Sequence, residues 1–196
     1  EIDRNTLVWC TGVHAGIIAA LQTFAPPGSR VLLTTPAYNG FYSDLRFTRT
    51  VPEDSPMTLV DGHYSIDFDD FELRARRANA FILCNPQNPT GNAWSARDLT
   101  RMGEICLEHR VVMLVDEIHC DFVTAGNTYT PYATLDDDNI VRNSITYKSV
   151  SKSFNLSAMR CAYLFSTNHD YLDRISGPGQ LQQAMSTLAI VAAEAA

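Results

Sequence analysis

The sequence predicts an α/β domain built on a mostly parallel sheet with helices on both faces. Three observations carry that prediction. Short apolar runs alternate with stretches whose apolar residues recur at helical spacing, the order expected of a strand–helix–strand protein. The run Val111–Val115 is apolar without interruption, as a strand buried on both faces should be. The chemically distinctive residues cluster in loops that follow such runs, and in these sheets a ligand sits beyond the carboxyl ends of the strands.

Size and composition bound the rest. The chain has 196 residues, of which 45% are hydrophobic and 19% charged. That is enough to bury a large core and excludes a disordered or low-complexity polymer. A net charge of −7 argues against nucleic acid as a partner, because phosphate binding needs a clustered basic face. No run approaches the roughly 18 apolar residues that a membrane helix needs. The five cysteines, Cys10, Cys84, Cys106, Cys120 and Cys161, are scattered without a Cys-x-x-Cys pair. They read as reduced thiols, which predicts a cytoplasmic protein rather than a disulfide frame or a zinc site. The first residue is Glu1, no secretory leader follows, and the helically spaced stretch Leu181–Ala196 ends without a stop signal. The expectation is one domain over 1–196, cut from a longer polypeptide.

The elements follow in order. Leu7–Cys10 is the first predicted strand, and the periodic stretch from Gly16 to Phe24 is a helix. Val31–Leu33 is the next strand, followed by a loop with Pro36 and Gly40 and a second periodic segment. Ala80–Cys84 precedes the loop Asn85–Asn92. Asp98–His109 places Leu99, Met102, Ile105 and Cys106 on one helical face. Val111–Val115, Ile145–Tyr147 and Ala162–Phe165 complete the predicted sheet.

Four loops carry chemistry. Thr11-Gly12-Val13-His14 opens the first helix, where free backbone N–H groups suit a phosphate, although a tight strand–helix turn has the same composition. His14 reads as an exposed first-turn residue or as a polar group near a site. In Asn85-Pro86-Gln87-Asn88-Pro89-Thr90-Gly91, two Asn-Pro steps and a glycine make a turn stiffer than a connector requires. Asp116-Glu117-Ile118-His119-Cys120-Asp121 puts an acid at the tip of a buried strand, which is costly unless a cation meets it. That cation could be a metal held by Asp116, His119 and Asp121, or the protonated ring nitrogen of a cofactor. A magnesium nucleotide is excluded, because a phosphate loop needs a lysine and none precedes Lys148. Finally, only Lys148 and Lys152 are lysines among the 15 basic residues, so an amine nucleophile must come from this one segment. Ser149-x-x-Lys152 matches a serine–lysine hydrolase signature formally, but the accompanying Ser-Asp-Asn and Lys-Thr-Gly strings are absent.

Taken together and in this order, Thr35-Pro36-Ala37-Tyr38, Cys84–Gly91, Val115–His119 and Ser151-Lys152-Ser153-Phe154-Asn155 resemble the fold-type I pyridoxal-phosphate-dependent enzymes. That group is the class I/II aminotransferase superfamily, and the wording is most similar to its MalY/PatB-type cystathionine β-lyase (C–S lyase) branch. The resemblance implies the three-layer α/β/α large domain of the aspartate-aminotransferase type. It implies pyridoxal 5'-phosphate as cofactor, a small amino-acid substrate and a homodimer. It gives Lys152 the covalent link to the cofactor and the proton transfer, and Asp116 the pairing with the ring nitrogen. Asn88 and His119 would lie near the ring's phenolic oxygen, with Tyr38 on the ring face. Thr11, Gly12, Val13, Ser149 and Arg160 would hold the phosphate, leaving Lys148 as a bystander. The implied reaction is β-elimination from L-cysteine S-derivatives, giving a thiol or persulfide, pyruvate and ammonia. An aminotransferase on the same scaffold is the alternative. The resemblance also implies that an N-terminal segment and a C-terminal small domain lie outside this sequence, which could be a module of a larger polypeptide.

Overall fold

The computed structural model describes Asp3, residues 6–177 and residues 185–196. Strand β1 (Leu7–Cys10) leads into helix α1 (Val13–Phe24), β2 (Arg30–Thr35) into α2 (Asn39–Thr48), and β3 (Val51–Pro56) into a hairpin of β4 (Thr58–Val60) and β5 (His63–Ser65). Helix α3 (Phe68–Ala75) precedes β6 (Ala78–Cys84), α4 (Ala96–Glu108) precedes β7 (Val112–Asp116), and α5 (Asp138–Arg142) precedes β8 (Ser144–Lys148). Strand β9 (Ala162–Phe165) and helices α6 (His169–Ser176) and α7 (Thr187–Glu194) complete the described chain.

Seven strands form one sheet in the order β1-β9-β8-β7-β6-β2-β3. Neighbours pair in parallel except β9, which runs against both β8 and β1. The carboxyl ends of the parallel strands therefore share one edge. Along β7, Val112 and Leu114 enter one apolar cluster while Met113 and Val115 enter the other. The first cluster is closed by α1, α2 and α6 through Ile17, Leu21, Leu45 and Ile175, the second by α3, α4 and α5 through Phe71, Leu99, Ile105 and Ile140. The result is the three-layer α/β/α arrangement, and a strand flanked on both faces has no polar side to show.

The predicted elements lie where expected, most of them longer by one to three residues. Elements with weaker apolar signals were not apparent. Strand β3 reads Val-Pro-Glu-Asp-Ser-Pro, which is polar and carries two prolines. It occupies the sheet edge, where a missing N–H costs no ladder bond on the open side. Its Glu53 is buried and bound by Arg30 at 2.6 Å, Arg74 at 3.2 Å and Arg77 at 2.6 Å. Of the C-terminal helical prediction, 181–184 lie outside the described residues and Thr187–Glu194 is helical. No helix among the described residues is long and apolar enough to cross a membrane.

Candidate active site

Five strands, β1, β2, β6, β7 and β8, deliver their loops to the shared edge. The turn after β1 ends in Gly12 at φ 142 and ψ 156, a conformation that favours glycine, and it opens α1 with no side-chain cap. The first-turn N–H groups are thus left for another acceptor. The loop after β6 passes through two cis X-Pro bonds, Asn85–Pro86 and Asn88–Pro89. Its Asn85 is buried and donates to the Thr130 carbonyl at 2.9 Å, and Gln87 donates to the Pro36 carbonyl at 3.1 Å. Gln87 thereby ties this loop to the one after β2 that carries Tyr38. After β8, the Ser149 hydroxyl donates to the Cys161 carbonyl at 2.7 Å and accepts from the Ser151 N–H at 3.0 Å. This pins both ends of the segment that holds Lys152. Ser153, next in line, donates to Asp121.

These loops enclose a cavity of about 490 Å³. Thr11, Gly12, Val13, Tyr38, Asn88, Asp116, His119, Ser149, Lys152 and Arg160 all line it. So does His14, the candidate near-site polar group, and so do Cys84, Ile118, Ser151 and Ser157, which the sequence does not single out. Cys84 was accessible in principle, since β6 and β7 pair with Cys84 opposite Asp116. His14 is exposed, as expected of a first-turn residue, and is also part of the wall.

The two neighbouring acids take opposite directions, as successive residues at a strand end do. Asp116 turns to the cavity, is buried, and accepts a backbone hydrogen bond from Ile118 at 3.0 Å. Burial pushes its carboxyl up to about 6, against the pull of that N–H and of the His14 and Lys152 charges. Glu117 turns away and accepts from the Tyr132 N–H at 2.8 Å. Lys148 lies 3.5 Å from the other Glu117 oxygen and donates to the Tyr129 hydroxyl at 3.1 Å. Lys148 is not among the residues that line the cavity; it is the counter-cation of a fully buried acid. Burial, helped by the Lys152 charge, holds His119 below the usual imidazole value, so it is neutral at pH 7.

The three residues of the metal alternative do not bring their ligand atoms together in this structure. Among the described residues, the grouping with ligand atoms close enough to share an ion is Glu72, Glu108 and His109, away from this edge. Asp116, His119 and Asp121 do not converge, and Asp121 is engaged by Ser153. What the cavity offers is a buried acid on one side, a lysine amine, an arginine, and an uncapped helix start. That set can hold a flat, anionic ligand with a cationic ring edge.

Comparison with known proteins agrees with this arrangement. The family described as aminotransferase class I and II matches residues 1–196. The chain is 34% identical over 202 residues to cystathionine beta-lyase PatB of Bacillus subtilis (strain 168), covering 100% of this chain and 51% of that protein. It is 32% identical over 199 residues to protein MalY of Escherichia coli (strain K12), covering 97% and 49%. The PLP-bound C-S lyase from Staphylococcus hominis superposes with a TM-score of 0.91 at 29% identity, over 100% of this chain and 49% of that one. Transaminases occur among the more distant relatives. The chain spans about half the length of the curated relatives it matches.

Proposed function

The chain belongs to the class I and II aminotransferase family, and on that premise we propose that it is the cofactor-binding large domain of a pyridoxal 5'-phosphate-dependent C–S β-lyase. The observation that carries the reading is Asp116. A buried carboxylate facing the cavity, with one backbone N–H as its hydrogen-bond partner among the described residues, fits a protonated pyridine nitrogen. The other residues fit the rest of the cofactor. The uncapped start of α1 at Thr11-Gly12-Val13, with Ser149 and Arg160, suits the phosphate, and the Lys152 amine suits the carbonyl carbon. Tyr38 would cover the ring face, and Asn88 and neutral His119 would serve the ring hydroxyl.

When bound, the cofactor supplies an electron sink for the charge left at the substrate Cα. Lys152 Nζ takes the Cα proton of an L-cysteine S-derivative, and the Cβ–S bond then breaks with its electron pair going to sulfur. The sulfur leaves as an anion and takes up a proton from water to give the thiol or persulfide. Asp116 keeps its negative charge opposite the ring nitrogen, so the site remains polarised throughout. Hydrolysis of the remaining fragment gives pyruvate and ammonia. The segments outside this chain, in a second copy or in the rest of the polypeptide, complete the site. Exposed Trp9, Phe122 and Phe154 support such a covering partner, and five free thiols support a reducing, cytoplasmic setting.

The full-length enzyme, given L-cystathionine or an S-substituted cysteine without a keto acid, is expected to release pyruvate and a thiol over many turnovers. If turnover starts only when a keto acid is added and the amino group appears on that acid, the protein is an aminotransferase and the lyase reading is wrong.

A further inference from the structure

One pair, His14 on the cavity wall and the buried Asp44 that binds it, has no part in the roles just described. His14 Nδ1 lies 2.6 Å from Asp44 Oδ2, and the Asp44 side chain is 7% exposed. Asp44 sits on α2 four residues after Gly40, so both face α1 from one side of the helix. A Cβ on Gly40 would stand 2.7 Å from His14 Cε1 and 2.3 Å from Tyr38 Cε1. Only a residue without a side chain lets the two rings close over this point. Their centroids are 5.8 Å apart at 40°, and Tyr38 is steadied on another side by Phe41, edge-on at 5.5 Å. Glycine makes the room, the buried acid takes the ring nitrogen, and the imidazole backs the tyrosine.

We propose that His14 is a positioning residue: clamped by Asp44, its imidazolium holds the Tyr38 ring on the cavity wall and adds a positive charge to the space Asp116 and Lys152 share. The buried Asp44 carboxylate needs a cation, and among the described residues His14 is the partner its side chain has. The groups acting on the imidazole are Asp44 from α2, Asp116 from the end of β7 and Lys152 from the loop after β8. The Asp44 hydrogen bond raises the His14 titration above its ordinary value; burial and Lys152 oppose this, while Asp44 and Asp116 charges support it. Reciprocally, the His14 charge favours the ionised form of Asp116.

The inference rests on the cofactor reading, and the test separates the two. Full-length parent, Asp44→Asn and the double variant His14→Phe with Asp44→Asn are reconstituted with pyridoxal 5'-phosphate. Cofactor affinity and the pH midpoint of the bound cofactor's absorption change are then measured. Asp44→Asn is expected to weaken retention roughly 3- to 10-fold, the scale of one aromatic contact. It should also raise the midpoint by about half a unit or more: the Asp44 and His14 charges vanish together, and of the two it is the His14 charge that reaches the space beside Asp116. The double variant restores a ring against Tyr38 without leaving a buried carboxylate. It should regain affinity while keeping the raised midpoint. Parental affinity and midpoint in Asp44→Asn overturn the proposal. Should that variant fail to fold, a parental midpoint in the double variant overturns it instead. A parent that binds no cofactor sinks the cofactor reading and this inference together.

Discussion

Two residues set the chemistry, and each has a measurable signature. Lys152 is one of only two lysines, and the other is occupied with buried Glu117. Borohydride reduction of the loaded full-length protein, followed by peptide mapping, should tag Lys152. A tag on Lys148, or no tag, would sink the assignment. Lys152→Ala should lower turnover by on the order of 10²- to 10⁴-fold, the usual worth of a positioned acid–base group. For Asp116→Asn the expectation differs between binding and chemistry. The helix start, Arg160 and Tyr38 remain, so cofactor occupancy should change little, while single-turnover rate drops sharply for want of the counter-charge. Normal turnover at normal occupancy would show that Asp116 does not serve the ring nitrogen.

At the scale of elements, the start of α1 is the sensitive point. Gly12 has φ 142, a region that costs an L residue about 1–3 kcal/mol, and it has open space around its Cα. Gly12→Ala should therefore fail through backbone strain and not through a clash. The turn would shift and misdirect the N–H groups of the first helical turn. The expected result is weaker cofactor retention with an intact α/β circular dichroism spectrum. Unchanged retention would mean that the α1 start does not hold the phosphate. The β3 edge shows a different dependence: Glu53 is held by three arginines from β2, α3 and the turn after α3, so one buried acid joins three segments. Removing it would leave three guanidinium groups without their shared partner.

For the whole molecule, the site is an electrostatic burden on the cofactor-free fold. Asp116 titrates near 6 in the folded protein and near 3.9 when unfolded. Between those values the folded state binds more protons than the unfolded one, so stability falls as pH rises from about 4 to 6. The stability lost across that window is on the order of 3 kcal/mol. Cofactor-free Asp116→Asn should be more stable than the parent above pH 7 and level with it near pH 4, in urea unfolding of the full-length protein. Equal midpoints at both pH values would show that the Asp116 burial is compensated. Activity and stability thus pull in opposite directions at one carboxylate.

Much of this was determined by sequence alone. The strands β6 and β7 are legible because each carries a continuous apolar run that both sheet faces demand, β8 is legible through Ile145 and Tyr147, and the loops with Asn88, Asp116 and Lys152 follow directly in the chain. Those are local facts, set by neighbours a few residues apart. The tertiary structure decided what lies across the cavity from what. Strand β9 inserts antiparallel between β1 and β8, which brings the Gly12 turn to the Lys152 loop from opposite ends of the chain. The tertiary packing also gives Lys148 its buried partner Glu117 and sets His14 against Asp44 thirty residues on. Apolar periodicity states that a strand is buried but not which strand lies beside it, because any central neighbour satisfies the same pattern. The polar strand β3 was hidden for the converse reason: an edge tolerates prolines and charge, so its pairing with β2 leaves no apolar trace in the sequence.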